Sequence, residues 1–285
     1  MGCLTQHKGD ITMECNVDGS TIHYEEYGVG TPVLCLHGYP LDHRIMTGCL
    51  EPVFETMDGF KRIYPDLPGM GASPVPAGIE NADDMLDALI GFVNSAIGKE
   101  RFLLIGESYG AYMSFGLALR LRDQIEGMFL ICPAVEADSS KREVPEKELL
   151  EYDEGEMELV KRDEGYDGSF LDYAVVATQE TWLRYTSEII PGVKAADAEF
   201  TERFQGDGYS FSFADKILAF KFNKPVCFIL GRQDHVVGYK DSLRLLENFP
   251  RATFVVADCA GHILQMERPG LFNAALSDWL ARVSF

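Results

Sequence analysis

The run Arg101-Phe102-Leu103-Leu104-Ile105-Gly106-Glu107-Ser108-Tyr109-Gly110-Ala111 limits the possible folds of this chain more than any other segment. Its first half is short, apolar and without alternation, which suits a strand covered on both faces. Its second half opens a helical pattern that continues to Arg122. Between them stands Gly106-Glu107-Ser108-Tyr109-Gly110, a G-x-S-x-G on a strand-to-helix turn, the setting in which that motif carries chemistry. A turn this sharp lifts the serine hydroxyl clear of the sheet. Side chains two residues before and two after the serine are expected to collide with each other, so glycine occupies both positions. The small Ala111 suits close packing of helix on strand. The helix starting at Tyr109 turns its positive end toward the serine. Ser108 is therefore the candidate nucleophile.

The alternation of strand and helix recurs along the chain. Ile11 to Val17 and Thr21 to Tyr27 flank Asp18-Gly19 as a hairpin. Further strands are expected at Pro32–Leu36, Phe60–Tyr64, Arg101–Ile105 (broken at Gly106), Gly127–Cys132, Pro225–Leu230 and Ala252–Ala257. Helices are expected at about Asp42–Met57, Asn81–Ile97, Tyr109–Arg122, Asp241–Asn248 and Glu267–Val283. The pattern specifies an α/β fold: a mostly parallel central sheet with helices on both faces. From about Val135 to Asp215 the rhythm stops. That stretch is charge-rich and mainly helical in character, without clear strands, and Glu146–Val160 reads as an acidic helix. The expected organisation is a core of residues 1–134 and 216–285 with an insertion, 135–215, after the sixth strand.

A serine hydroxyl is a weak nucleophile at neutral pH and needs a base. Of six histidines, His262 in Ala260-Gly261-His262 directly follows the last strand, and parallel sheets place their sites at C-terminal strand ends. His7 falls in a tail and His23 in the early hairpin. Asp234, in Gly231-Arg232-Gln233-Asp234, lies at another such strand end and would orient the imidazole; Asp138 and Asp258 are its competitors. An oxyanion needs backbone donors. Tyr109 N–H is one, and Tyr39 N–H in His37-Gly38-Tyr39-Pro40 is the expected second. The His37 ring is expected to bond the loop backbone. His43 is a candidate for the pocket wall or for the first turn of a helix. Trp182 and Tyr185, with Phe170 and Tyr173, are candidates for an apolar acyl pocket or for the insertion's own core.

His37-Gly38-Tyr39-Pro40, Asp66-Leu67-Pro68-Gly69-Met70-Gly71-Ala72-Ser73, the Ser108 turn, Gly231-Arg232-Gln233-Asp234 and Gly261-His262 together resemble the α/β-hydrolase superfamily, over about Ile22 to Val283 and in its order of Ser, Asp, His. The resemblance implies a capped serine hydrolase, carboxylesterase-like, working through a Ser108-His262-Asp234 triad and an acyl-enzyme, with 135–215 as a helical cap. It leaves open a C–C bond hydrolase, an aminopeptidase-type hydrolase, or a ligand receptor that retains the triad. C–C hydrolysis of a dienoic ketoacid calls for a cationic clamp, with Arg44 and Arg184 as candidates. Several branches fit poorly. Epoxide hydrolases and haloalkane dehalogenases of this type carry Asp where Ser108 stands. Proline iminopeptidases usually have a glycine-rich loop at Tyr39-Pro40 and Trp at Tyr109. Serine carboxypeptidases share Gly-Glu-Ser-Tyr but are larger, secreted and disulfide-bonded.

Charge narrows the partners. With 45 acidic against 25 basic residues the net charge is −20, which speaks against nucleic acid and anionic membrane surfaces. Glu136 to Asp167 alone holds 13 acidic and 5 basic residues, as a solvated acidic face or an electrostatic collar. Seven cysteines, with Cys35, Cys132 and Cys227 inside apolar runs and no C-x-x-C pair, read as small apolar filler in a reducing compartment. No metal and no cofactor is implied. Met1 to Asp10 has neither a signal-peptide pattern nor, with Gln6, an acylation pattern. The expectation is a cytoplasmic monomer or homodimer acting on a small-molecule substrate.

Overall fold

The structure, a computed structural model, describes residues 12–17, 19–76, 78–163 and 165–283. β1 (Thr12–Val17) and β2 (Ser20–Gly28) form the antiparallel hairpin. Asp18 of its turn, like His7 and the N-terminal segment, lies outside the described residues, while Gly19 has the positive φ, 85°, that such a turn requires. β3 (Thr31–Leu36), α1 (Arg44–Phe54), β4 (Phe60–Pro65), α2 (Ala82–Ala96), β5 (Phe102–Glu107), α3 (Tyr109–Arg120) and β6 (Ile125–Ile131) follow. Asn81 starts α2 with a capping box, accepting from the Asp83 and Asp84 N–H groups while Asp84 returns a carboxylate to the Asn81 N–H.

Past β6 the chain leaves the sheet through β7 (Glu151–Tyr152), α4 (Glu154–Val160), α5 (Ser169–Tyr173), β8 (Val176–Ala177), α6 (Gln179–Glu188), α7 (Ile190–Ala195), α8 (Ala198–Arg203) and α9 (Asp215–Ala219). It returns as β9 (Val226–Gly231), α10 (Lys240–Leu243), β10 (Ala252–Ala257), α11 (Leu264–Glu267) and α12 (Pro269–Val283). The eight sheet strands lie in the order β1-β2-β4-β3-β5-β6-β9-β10. From β4 onward every neighbouring pair is parallel. β3, β5, β6 and β9 are buried along almost their whole length, as their unbroken apolar runs require. α2 packs on α3, and α1 on α12, giving a layer on each face of the sheet. The central α3 is buried all round from Tyr109 to Ala118. Among the described residues no helix is long and apolar enough to cross a membrane, and the cysteines are free thiols.

Three elements differ from expectation. β5 does not break at Gly106 but runs on to Glu107, because Gly106 and Glu107 keep their parallel partners Leu130 and Ile131. The acidic helix expected over 146–160 is confined to α4. Ahead of it Glu148 and Glu151 stand three residues apart, and like charges at that spacing disfavour a helix. The Leu150 and Glu151 N–H groups instead bond the Val175 carbonyl, which starts the short β7–β8 pair. The helix expected over 241–248 is two pieces, α10 and a 3₁₀ turn at Leu246–Asn248.

Candidate active site

β5, β9 and β10 are parallel, so the loops after them open at one edge of the sheet. Those loops carry Ser108, Asp234 and His262. Ser108 has φ 51° and ψ −112°, a left-handed backbone for a residue with a side chain. Such strain costs about 1–3 kcal/mol and persists only where the surroundings enforce it. The flanking glycines are the enforcement, though by a different clash from the one expected. A Cβ on Gly106 would lie 2.7 Å from the Ala111 backbone and 2.6 Å from Ser114 Oγ. A Cβ on Gly110 would lie 2.2 Å from the Leu36 carbonyl oxygen. Each glycine thus admits a neighbouring element, α3 against β5 and β3 against α3, rather than the other glycine's side chain.

The hydrogen bonds form one chain. Ser108 Oγ is 2.9 Å from His262 Nε2, and His262 Nδ1 is 2.9 Å from Asp234 Oδ2. Asp234 Oδ1 accepts from the Val236 and Val237 N–H groups at 2.9 and 3.0 Å. Burial pushes the Asp234 carboxyl up, but the His262 charge and hydrogen bond, with those two N–H groups, hold it below the usual carboxylate range. Burial pushes the His262 imidazole down; the Asp234 charge and hydrogen bond, then the Glu107 charge, outweigh it and leave the ring above its ordinary value. Asp258 meets the Gln233 amide and Asp138 meets Ser140 and Lys141, so neither competitor reaches His262.

Glu107 was not singled out from the sequence. It is 2% exposed, its Oε1 lies 3.7 Å from His262 Nε2, and its Oε2 has no hydrogen-bond partner among the described residues. Burial pushes its carboxyl up to about 7, against the pull of His262. The signal available was its place, at the buried end of a central strand one residue before the nucleophile.

Tyr39 and Tyr109 both stand next to Ser108: Tyr39 lines the larger recess with it, and Tyr109 follows it in the chain. Tyr109 is the first residue of α3, where an N–H has no carbonyl one turn back to bond. Tyr39 follows Gly38, which approaches so closely that a Cβ there would sit 3.1 Å from Ser108 Cβ. His37 holds this loop as expected: its Nδ1–H donates to the Gly38 carbonyl and its Nε2 accepts from the Leu67 N–H.

Two recesses meet at Ser108 and His262. The larger, about 540 Å³, is lined by Tyr39, Arg142, Tyr173, Gln205, Tyr209 and Val237, among others. The smaller, about 80 Å³, is lined by Leu41, Ile45, Glu107, Tyr185, Ile189 and Ile263, among others. A third cavity of about 490 Å³, around Thr31, Phe60 and Arg101, lies at the opposite, N-terminal ends of the strands.

The structure redistributes the other candidates. Tyr185 lines the smaller recess. Trp182 lines neither; it stacks on Tyr185 and meets Tyr166 and Phe170 edge to face in the insertion's own core. His43 also lines neither. Its ring bonds Asp66 Oδ1 at 2.8 Å and faces Glu25 at 3.2 Å, and those carboxylates raise it to about 10 against the effect of burial. Two acids on either side of one ring make a structural pair, and nothing in a single sequence brings Glu25 to His43. Arg44 pairs with Asp42 and Arg184 with Glu188, away from both recesses. The arginine in the larger recess is Arg142, whose guanidinium donates to the Glu136, Ala137 and Val236 carbonyls. It forms no ion pair with a carboxylate among the described residues.

Cys132, Asp234 and His262 bring potential metal-ligating atoms within 4.8 Å of one another. Both ring nitrogens are already bonded to Asp234 and Ser108. Burial pushes the Cys132 thiol far up, so it stays protonated and is a poor ligand.

Relatives agree with this architecture. Haloalkane dehalogenase 2 of Mycobacterium bovis is 29% identical over 109 residues, 38% of this chain; the matched part spans 37% of that relative's length. The 2-hydroxymuconate semialdehyde hydrolase of Pseudomonas sp. strain CF600 is 25% identical over 97% of this chain and 96% of its own. The crystal structure of an α/β superfamily hydrolase from Oenococcus oeni PSU-1 superposes with a TM-score of 0.86 at 33% identity, covering 95% of this chain and 99% of that one. The model of the α/β hydrolase fold matches residues 31–269, which include the Ser108 turn, the whole insertion and both partner loops. By its sheet order, its turn and these matches, the chain belongs to the α/β hydrolase fold family.

Proposed function

We propose that this hydrolase cleaves carboxylic esters, or similarly activated carbonyls, by two-step acyl transfer from Ser108. The observation that carries the reading is the unbroken run of hydrogen bonds from Ser108 Oγ through His262 to Asp234. Ser108 Oγ attacks the carbonyl carbon while His262 Nε2 takes its proton. The Tyr39 and Tyr109 N–H groups receive the negative charge on the carbonyl oxygen, and a donor in that position is worth about 3 kcal/mol in the transition state. His262 then gives the proton to the leaving alkoxide, freeing the alcohol. Water repeats the sequence on the acyl-enzyme and releases the acid. The segment over the site, residues 135–215, acts as the cap.

The two recesses divide the substrate. The smaller apolar one suits the acyl group and, at about 80 Å³, falls well below ordinary ligand pockets. The larger polar one suits the alcohol. With p-nitrophenyl esters from acetyl to octanoyl, the expected result is burst kinetics and kcat/KM highest for the shortest acyl chains. Absence of a burst together with no labelling of Ser108 by a fluorophosphonate would remove the reading.

Arg142 supports a second reading. A cation without a carboxylate partner in the larger recess suits an anionic substrate, and one relative is named 2-hydroxymuconate semialdehyde hydrolase. C–C hydrolysis of a dienoic ketoacid faster than hydrolysis of every ester in the panel would decide for it.

The proton balance is testable without knowing the natural substrate. The base must be neutral, and His262 is held above its ordinary value, so the acid limb of kcat/KM is expected above pH 6.5, with activity rising as pH rises. Glu107→Gln removes a negative charge that favours imidazolium, so its limb is expected at lower pH than in the parent. Identical limbs would mean that Glu107 does not sense the base.

A further inference from the structure

Glu267 ends α11 and is buried, 6% exposed, yet no cation pairs with it among the described residues. Three backbone N–H groups converge on it instead. Oε1 accepts from Val175 at 2.6 Å and from Val176 at 3.1 Å; Oε2 accepts from Gly261 at 2.6 Å. The donors belong to two separate parts of the chain. Gly261 immediately precedes His262. Val175 and Val176 enter β8 of the inserted segment, two residues past Tyr173, which lines both recesses.

The same two parts also touch directly. A Cβ on Gly261 would lie 2.8 Å from Val175 Cγ2 and 3.3 Å from the Tyr173 carbonyl oxygen. Both the glycine and the carboxylate therefore serve one contact, the histidine loop against β8. A carboxylate is acceptor-only, so it meets all three donors. An amide of the same shape has one oxygen and one NH₂, and whichever way it turns, the NH₂ faces an N–H group. The buried orphan donors would then carry their full desolvation penalty.

We propose that Glu267 is a positioning residue that makes the aim of His262 depend on the seating of β8. A β8 lifted from the core takes two of the carboxylate's donors with it, and the remaining bond no longer fixes the Gly261 backbone that directs the imidazole. The inference rests on the reading of His262 as the base.

The test is Glu267→Gln in the full chain, assayed with p-nitrophenyl acetate at a temperature where circular dichroism shows the variant folded. The expected result is a kcat loss on the order of 10²-fold, the scale for a reacting group moved by about 1 Å, with KM nearly unchanged and slower fluorophosphonate labelling of Ser108. A purely structural Glu267 would lower Tm and leave kcat alone, and that outcome overturns the proposal. Thr181→Val gives a second approach should the first variant not fold. The Thr181 hydroxyl donates to the Val176 carbonyl at 2.9 Å and holds β8 from the other side. A smaller kcat loss with steady KM is expected there, and an unchanged kcat counts against the coupling. Failure of the site reading looks different: the parent enzyme itself would show neither burst nor labelling.

Discussion

Ser108→Ala is expected to lower kcat for p-nitrophenyl esters by at least ~10³-fold and to abolish fluorophosphonate labelling, with the protein still folded. The size follows from what is left behind. Without Oγ, His262 Nε2 loses its partner at 2.9 Å, and water must replace a nucleophile that the backbone holds in place. Glu107 Oε1 stands 3.7 Å from the same nitrogen, but a buried carboxyl raised to about 7 is partly protonated at neutral pH and a poor substitute. Residual turnover in the variant would reflect the backbone donors and binding alone. Stability should hardly change. Alanine finds φ 51° no easier than serine does, and one lost hydrogen bond is worth about 1 kcal/mol, a few degrees in Tm for a chain of this size. Undiminished turnover in a folded Ser108→Ala protein would reject Ser108 as the nucleophile.

The parts of this site legible in the sequence were those that depend on a strand end. Ser108, Asp234 and His262 each follow an apolar run, and parallel strands bring such ends to one edge whatever the chain between them does. His37 was legible for the same reason. What stayed hidden depends on distances between segments far apart in the chain. His43 was a candidate for the pocket wall, but Glu25 and Asp66 claim its ring. Trp182 has the chemistry of a pocket wall, yet three aromatic neighbours from its own segment bury it. Arg142 looked like one charge among many in an acidic stretch; its long side chain reaches across to the Val236 carbonyl of the Asp234 loop. The acidic helix expected over 146–160 is cut short to α4 because repelling carboxylates and a β-pair compete for the same backbone. The glycines of the turn were identified correctly as necessary, but the atoms they make room for belong to Leu36, Ala111 and Ser114.

Asp234→Asn is expected to cost on the order of 10⁴-fold in kcat, although it changes only one atom of a buried side chain. The reason lies on the far side of that side chain. Asp234 Oδ1 accepts two backbone N–H groups, from Val236 and Val237. An asparagine keeps its carbonyl oxygen there, since an NH₂ group would face two donors. Its NH₂ is then turned toward His262 Nδ1, which must become the acceptor. The ring proton moves to Nε2, where it faces Ser108 Oγ and blocks proton transfer from it. The imidazole stays in place in the wrong tautomer. Losing the Asp234 charge also removes the chief influence that holds His262 above its ordinary value, so the residual activity should have its acid limb at lower pH than the parent. Asp258→Asn is the control: its carboxylate meets the Gln233 amide at the surface of the same region, and its kcat should match the parent's. Were Asp234→Asn to retain parental kcat, the imidazole would have to be held by another acid, and among the described residues Glu107 is the carboxylate within 4 Å of the ring that remains.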